Sequence, residues 1–166
     1  EYKTRVLLEN AGVPLVEGVF VAAGSDIPDT LPGTPVYLKA QIPGATSRAA
    51  DGLVRRSDTK DEAVAGLKEL LAPGSWGQAE GVLVAAGVDI KKEYYAACML
   101  DFGTAEQLPG GVLIFSTEGG SGVEGRTESL RKIPFSLLNL PTGDDIAGKL
   151  GDVENKAAVG DFLAKF

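Results

Sequence analysis

The sequence contains no histidine. That absence excludes Ser-His-Asp and Cys-His catalysis, removes most zinc sites, and rules out a phosphohistidine carried on this chain. Cysteine is nearly as scarce: Cys98 is the only one, so no disulfide can form within the chain. It lies in the apolar run Ala96-Ala97-Cys98-Met99-Leu100, where a small buried hydrophobe is expected rather than a nucleophile. No stretch approaches the ~18 apolar residues of a membrane-spanning helix. The opening Glu1-Tyr2-Lys3-Thr4-Arg5 lacks the apolar segment of a signal peptide. Basic residues are in the minority, 16 Lys and Arg against 23 Asp and Glu, for a net charge of −7. Such a chain has no general electrostatic footprint for nucleic acid. The expectation is a soluble, cytoplasmic protein with neither nucleic acid nor membrane as a partner. Its chemistry must rest on carboxylates, Lys, Arg, hydroxyls and backbone N–H groups.

What is present is enough for a folded core. The 166 residues are 44% hydrophobic, which suits one domain or two small lobes. Glycine, at 22 residues, and proline, at 9, are spread between apolar runs, the pattern of short strands and tight turns. Residues 2–10 have helical spacing with Tyr2, Val6 and Leu7 towards one face, Gly12 at the C-cap position and Pro14 beyond it. Strands are predicted over 15–23, 36–42 (with Lys39 near the middle) and 52–55, and a helix over 61–71 with Ala63, Leu67, Leu70 and Leu71 as its apolar stripe. Gly81 opens three further strands, 82–86, 94–102 and 112–116. An apolar run over 135–140 and helical segments over 144–150 and 154–166 close the chain. The fold class is α+β in two lobes, one roughly 14–75 and the other roughly 81–166, divided near residues 73–81.

Several strings, in this order, resemble the β subunit of succinyl-CoA synthetase. Glu1-Tyr2-Lys3 and Leu7-Leu8-Glu9-Asn10-Ala11-Gly12-Val13-Pro14 resemble its opening helix and Gly-x-Pro turn. Lys39-Ala40-Gln41-Ile42 looks like its Val-Lys-x-Gln-Val segment, which runs into a glycine-rich loop. The stretch through Asp89-Ile90-Lys91-Lys92-Glu93-Tyr94-Tyr95 is similar to a segment ending Lys-Glu-Leu-Tyr. Ser116-Thr117-Glu118-Gly119-Gly120 matches a Ser-Thr-Glu-Gly-Gly motif, and Leu140-Pro141-Thr142-Gly143 resembles a Pro-Leu-Thr-Gly turn. The resemblance implies an ATP-grasp fold, two small α+β lobes around a nucleotide cleft. It also implies ATP (or GTP) with Mg as cofactor, and ATP-dependent acyl-CoA formation. The phosphoryl group would pass through a histidine of a partner α-like subunit that also carries the CoA site, which suits a chain without histidine.

The resemblance carries over to particular residues. Lys39, in a strand beside Val36, Tyr37, Leu38 and Ile42, is expensive to bury without an anion. The family's matching lysine holds nucleotide phosphates; the plainer reading is an edge-strand lysine in solvent. Thr46, Ser47 and Arg48 stand in the small-residue loop after it, which either folds over phosphates or makes a β-turn. That loop departs from the family's Gly-Gly-Arg-Gly-Lys, with Ser47 and Ala49 at the basic positions. Val84, Ala85 and Ala86 match the segment beside the adenine, although Ala85 replaces an acid. Glu93 matches a nucleotide-contacting glutamate, or is a solvated acid beside Lys91 and Lys92. Ser116, Thr117, Glu118, Gly119 and Gly120 form either an anion loop or a structural turn. Trp76 reads as packing.

No catalytic residue and no metal ligand is assigned. The family's magnesium ligands, and its CoA-ligase domain, lie beyond the region matched; Asn139 and Asp144-Asp145 are not convincing replacements. The isolated chain is therefore expected to be inactive, the ATP-grasp part of an acid–thiol ligase present as a fragment or a split subunit. The alternatives are a non-catalytic ATP-grasp relative acting in binding or assembly, and an unrelated α+β binding module.

Overall fold

The computed structural model describes residues 1–44, 52–72, 79–103, 109–120 and 130–166. The chain divides into two compact units. One comprises Glu1–Leu7 with Leu15–Asp89, the other Leu8–Pro14 with Ile90–Phe166.

Helix α1 (Tyr2–Asn10) ends as its glycine dictates. Gly12 adopts a φ of 71°, its N–H donates to Glu9 O, and Val13 N–H donates to Leu8 O. This is the Schellman pattern, which needs a residue tolerant of left-handed backbone. The half-buried face of α1 is Tyr2, Arg5 and Leu8, not the predicted Tyr2, Val6 and Leu7, since Val6 and Leu7 are exposed.

The first unit holds an antiparallel sheet in the order β1-β4-β2-β3, built from β1 (Gly18–Ala22), β2 (Val36–Gln41), β3 (Val54–Ser57) and β4 (Gly81–Ala86). Helix α2 (Lys60–Leu71) lays Ala63, Leu67 and Leu70 on one face of it, against Val36, Leu38, Ala40, Val82 and Val84. Alternation along β2 sends Val36, Leu38 and Ala40 to that helix and leaves Tyr37, Lys39 and Gln41 on the other face. Helix α2 is capped by Thr59, which accepts from Glu62 N–H, and Asp61 and Glu62 occupy its first turn. Its end follows from Pro73, which pushes Ala72 into extended backbone.

The placement of β4 corrects the division predicted near residues 73–81. Gly-Val-Leu-Val-Ala-Ala is apolar on both faces and becomes the interior strand between β1 and β2, so it belongs to the first sheet. The first unit accordingly runs to Asp89. A strand covered on both sides needs such an uninterrupted run, whereas one-sided strands alternate.

The second unit holds a three-stranded antiparallel meander, β5 (Tyr95–Asp101), β6 (Gly110–Ser116) and β7 (Arg131–Ser136). Helices α3 (Gly143–Lys149) and α4 (Lys156–Lys165) cover one face. Ile146, Leu150, Val153 and Leu163 close over Leu113, Phe115 and Ile133. A capping box starts α3: Thr142 accepts from Asp145 N–H, and the Asp145 carboxylate accepts from Thr142 N–H. Cys98 corrects a second expectation, being exposed rather than buried. By register it lies opposite Leu113, on the helix side, but β5 is an edge strand whose last residues run out from under that cover.

Candidate functional site

Lys39 stands on β2, an interior strand paired with β3 on one side and β4 on the other. The edge-strand reading of this lysine is therefore excluded. Its side chain is 30% exposed, and its ammonium donates to Glu1 Oε1 at 2.7 Å. The same sheet face carries Gln41, buried, whose Nε2–H donates to Lys39 O at 2.9 Å and whose Oε1 accepts from Tyr2 N–H at 3.0 Å. Tyr2 stacks on Phe20 with ring centroids 4.0 Å apart, and Lys3 pairs with Glu80 at 3.1 Å. The first turn of α1 is thus strapped across the sheet face beside the lysine.

Lys39 lies opposite Val54, the last residue pair in the β2–β3 register. The hairpin connection begins just beyond it, with Ala40 N–H donating to Leu53 O and Gly44 at a φ of 78°. That connection carries Thr46, Ser47 and Arg48, which lie outside the described residues, as does Trp76.

Val84 and Ala85 are buried and Ala86 half-buried. Val84 and Ala85 are in the ladder with both neighbouring strands, and Ala86 pairs with Val36 of β2. Ala86 N–H is engaged by Glu17 O, and Gly87 N–H by Pro35 O. Backbone donors for an additional ligand are therefore not free at Ala86 or Gly87.

In the second unit Glu93 and the Ser116–Gly120 loop come together, a proximity that sequence reading did not anticipate. Tyr95 pairs with Ser116, so the chain on either side continues the antiparallel course, and Gly119 N–H donates to Glu93 O at 3.1 Å. A Cβ on Gly119 would stand 2.6 Å from the Glu93 carbonyl carbon, so only glycine permits this approach. Gly120 follows with a φ of 90°. Ser116 is buried and its hydroxyl accepts from Glu118 N–H at 3.0 Å, which tightens the turn. Glu93 itself is exposed, and Lys92 caps the Tyr94 ring at 5.4 Å. Thr117 is half-buried and Glu118 exposed.

Among the described residues no three Cys, Asp or Glu side chains gather where they would hold a metal ion. Sequence reading had also missed Glu1 and Gln41 as members of the Lys39 cluster. Gln41 carried a signal, an amide two positions after the lysine and so on the same strand face; Glu1 carried none.

The residues matched to the ATP-grasp domain family model are 1–134. Among curated relatives, the β subunit of ADP-forming succinate–CoA ligase from Ignicoccus hospitalis is 28% identical over 90% of this chain and 38% of its own length. The subunit of the same name from Nitratiruptor sp. is 31% identical over 99% of this chain and 43% of its own. The chain thus spans about two fifths of the length of the relatives it matches. Of solved structures, PH1788 from Pyrococcus horikoshii Ot3 superimposes with a TM-score of 0.70 at 19% identity, over 99% of this chain and 74% of that one. ACD1 from Ca. Korarchaeum cryptofilum, solved in complex with coenzyme A, gives 0.68 at 16% identity, over 99% and 76%. At those identities the structures speak for the fold alone. Family model, relatives and fold agree over the region that holds Lys39, Glu93 and the Ser116–Gly120 loop, and the chain belongs to the ATP-grasp domain family.

Proposed function

We propose that this chain is the nucleotide-binding part of an acid–CoA ligase β subunit of the succinyl-CoA synthetase kind. The observation that carries the reading is the family match over residues 1–134, together with relatives named as succinate–CoA ligase β subunits. Lys39 supplies the cation for the phosphates of ATP or GTP: it is a partly exposed ammonium on an interior strand, at the mouth of the hairpin loop that carries Thr46, Ser47 and Arg48. A lysine acts there as a mobile point charge with three donors. The base is assigned to the segment from Val84, Ala85 and Ala86 onward; within the second unit, Glu93 and the Ser116-Thr117-Glu118-Gly119-Gly120 turn meet each other and make a candidate anion contact of their own. When bound, the nucleotide supplies the phosphoryl group that activates a carboxylic acid towards CoA. The ligands of the magnesium ion that accompanies the nucleotide, like the CoA site and the phosphohistidine, are assigned to other regions or to an α-like partner subunit in the cytoplasm.

The test is calorimetric titration with ATP and GTP, with and without Mg²⁺. Saturable binding is expected, and at ~100 times its dissociation constant the ligand should add about 2.7 kcal/mol to thermal stability. Lys39→Ala should weaken binding about tenfold or more, the worth of a charge-assisted hydrogen bond. The chain alone, given ATP, CoA and succinate, should form no acyl-CoA. A second reading, a non-catalytic relative that serves in assembly, is favoured by Ala85 in place of an acid. It takes over if millimolar nucleotide neither binds nor stabilises the chain.

A further inference from the structure

We propose that Glu1 is a built-in counter-ion for Lys39, which an incoming polyphosphate must displace. The inference rests on the reading of Lys39 as a phosphate ligand and adds a control on the affinity of that site.

The contact is not the chance position of a loose end. Gln41 is buried, and its amide holds both partners: it donates to the carbonyl of Lys39 itself and accepts from Tyr2 N–H, the residue after Glu1. The Tyr2–Phe20 stack holds the next residue on the same sheet, and Lys3 pairs with Glu80 just before β4. Those anchors set the first turn of α1 beside β2, and from there the Glu1 carboxylate reaches the ammonium at 2.7 Å.

A phosphate oxygen that approaches Lys39 to hydrogen-bonding distance also approaches the Glu1 oxygen, and like charges that close repel. Glu1 therefore takes one of the three ammonium donors and lowers the positive potential that an anion senses. The pair is partly exposed, 30% for the lysine and 39% for the glutamate, so it is a moderate and salt-sensitive interaction. A contact of that strength sets a threshold for the ligand without sealing the site.

The experiment is ATP titration at low salt of four chains: the parent, Glu1→Gln, Lys39→Ala and the double variant. Glutamine keeps the volume and removes the charge. Glu1→Gln is expected to tighten ATP binding about two- to fivefold, the range of an exposed ion pair. The gain should shrink near 1 M salt, where the screening length is about 3 Å. In the Lys39→Ala background the same substitution should change nothing, the signature of a direct pair in a double-mutant cycle. Unchanged or weaker binding by Glu1→Gln, with Lys39→Ala still impaired, overturns the counter-ion while leaving Lys39 as the ligand. Parental affinity in Lys39→Ala, or no ATP binding by any of the four chains, removes the underlying reading and the counter-ion with it. Matching circular dichroism and melting curves for the four chains exclude a folding defect as the cause.

Discussion

Lys39, Gly119 and Cys98 owe their roles to neighbours that are distant in sequence. Gly119 is the sharpest case. Its side-chain space is filled by the backbone of Glu93, 2.6 Å from where a Cβ would stand, and backbone yields less than a flexible side chain. Gly119→Ala is expected to destabilise the second unit by about 1–3 kcal/mol, as overpacking does. Chemical denaturation followed by Tyr fluorescence would measure this, and a neutral result would mean that the turn opens freely. Cys98 leads to a different expectation. Exposed on β5, it should react with a thiol-specific disulfide reagent in the native chain, without denaturant, at a rate close to that of a free thiol. Protection until unfolding would show that the end of β5 is covered.

The helices were the most legible elements because their signals are contiguous. Thr59 with Asp61 and Glu62 marks the start of α2, and Thr59→Ala should cost about 1 kcal/mol of the stability of its unit. In α3 the reciprocal bonds with Thr142, side chain first and backbone next, hold the Asp145 carboxyl below its ordinary range. A carboxyl whose folded value is depressed adds stability that is complete above its unfolded value, about 3.9, and is lost as pH falls through the folded value. The capping box should therefore loosen only in acid, below about pH 4. Asp145→Asn should flatten that part of the pH–stability curve, and an unaltered acid limb would show that other carboxyls dominate it. Strands are less legible: β1 begins at Gly18 rather than residue 15, and β7, Arg131–Ser136, has no strand predicted over it, its end overlapping an apolar run at 135–140. Strand ends are set by which partner continues the ladder, and local composition carries little of that information.

On the scale of the whole molecule, the described residues form two cores without a shared member, one around Leu38, Leu67 and Val84 and one around Phe115, Ile133 and Ile146. Truncation in one should be felt chiefly in its own unit. Leu67→Ala, at a fully buried position, is expected to cost about 2–5 kcal/mol. Native-state hydrogen exchange should show that loss in β2 and β4 and much less in β5 and β6. Equal loss in both units would show that they unfold as one.

By itself the sequence determined the α+β class, the glycine end of α1, and the family. It also excluded histidine chemistry and an intrachain disulfide, because each of these is written in adjacent residues or in composition. The ordered strings from Glu1 to Gly143 sufficed to identify an ATP-grasp domain without any contact being known. Only the tertiary structure decided that β4 completes the first sheet, that Cys98 stands at an open edge, that Gly119 closes on Glu93, and that Lys39 is met by a carboxylate 38 positions away. Those facts depend on which strands pair and in what register. Register is a property of two distant segments jointly, and neither segment carries it alone.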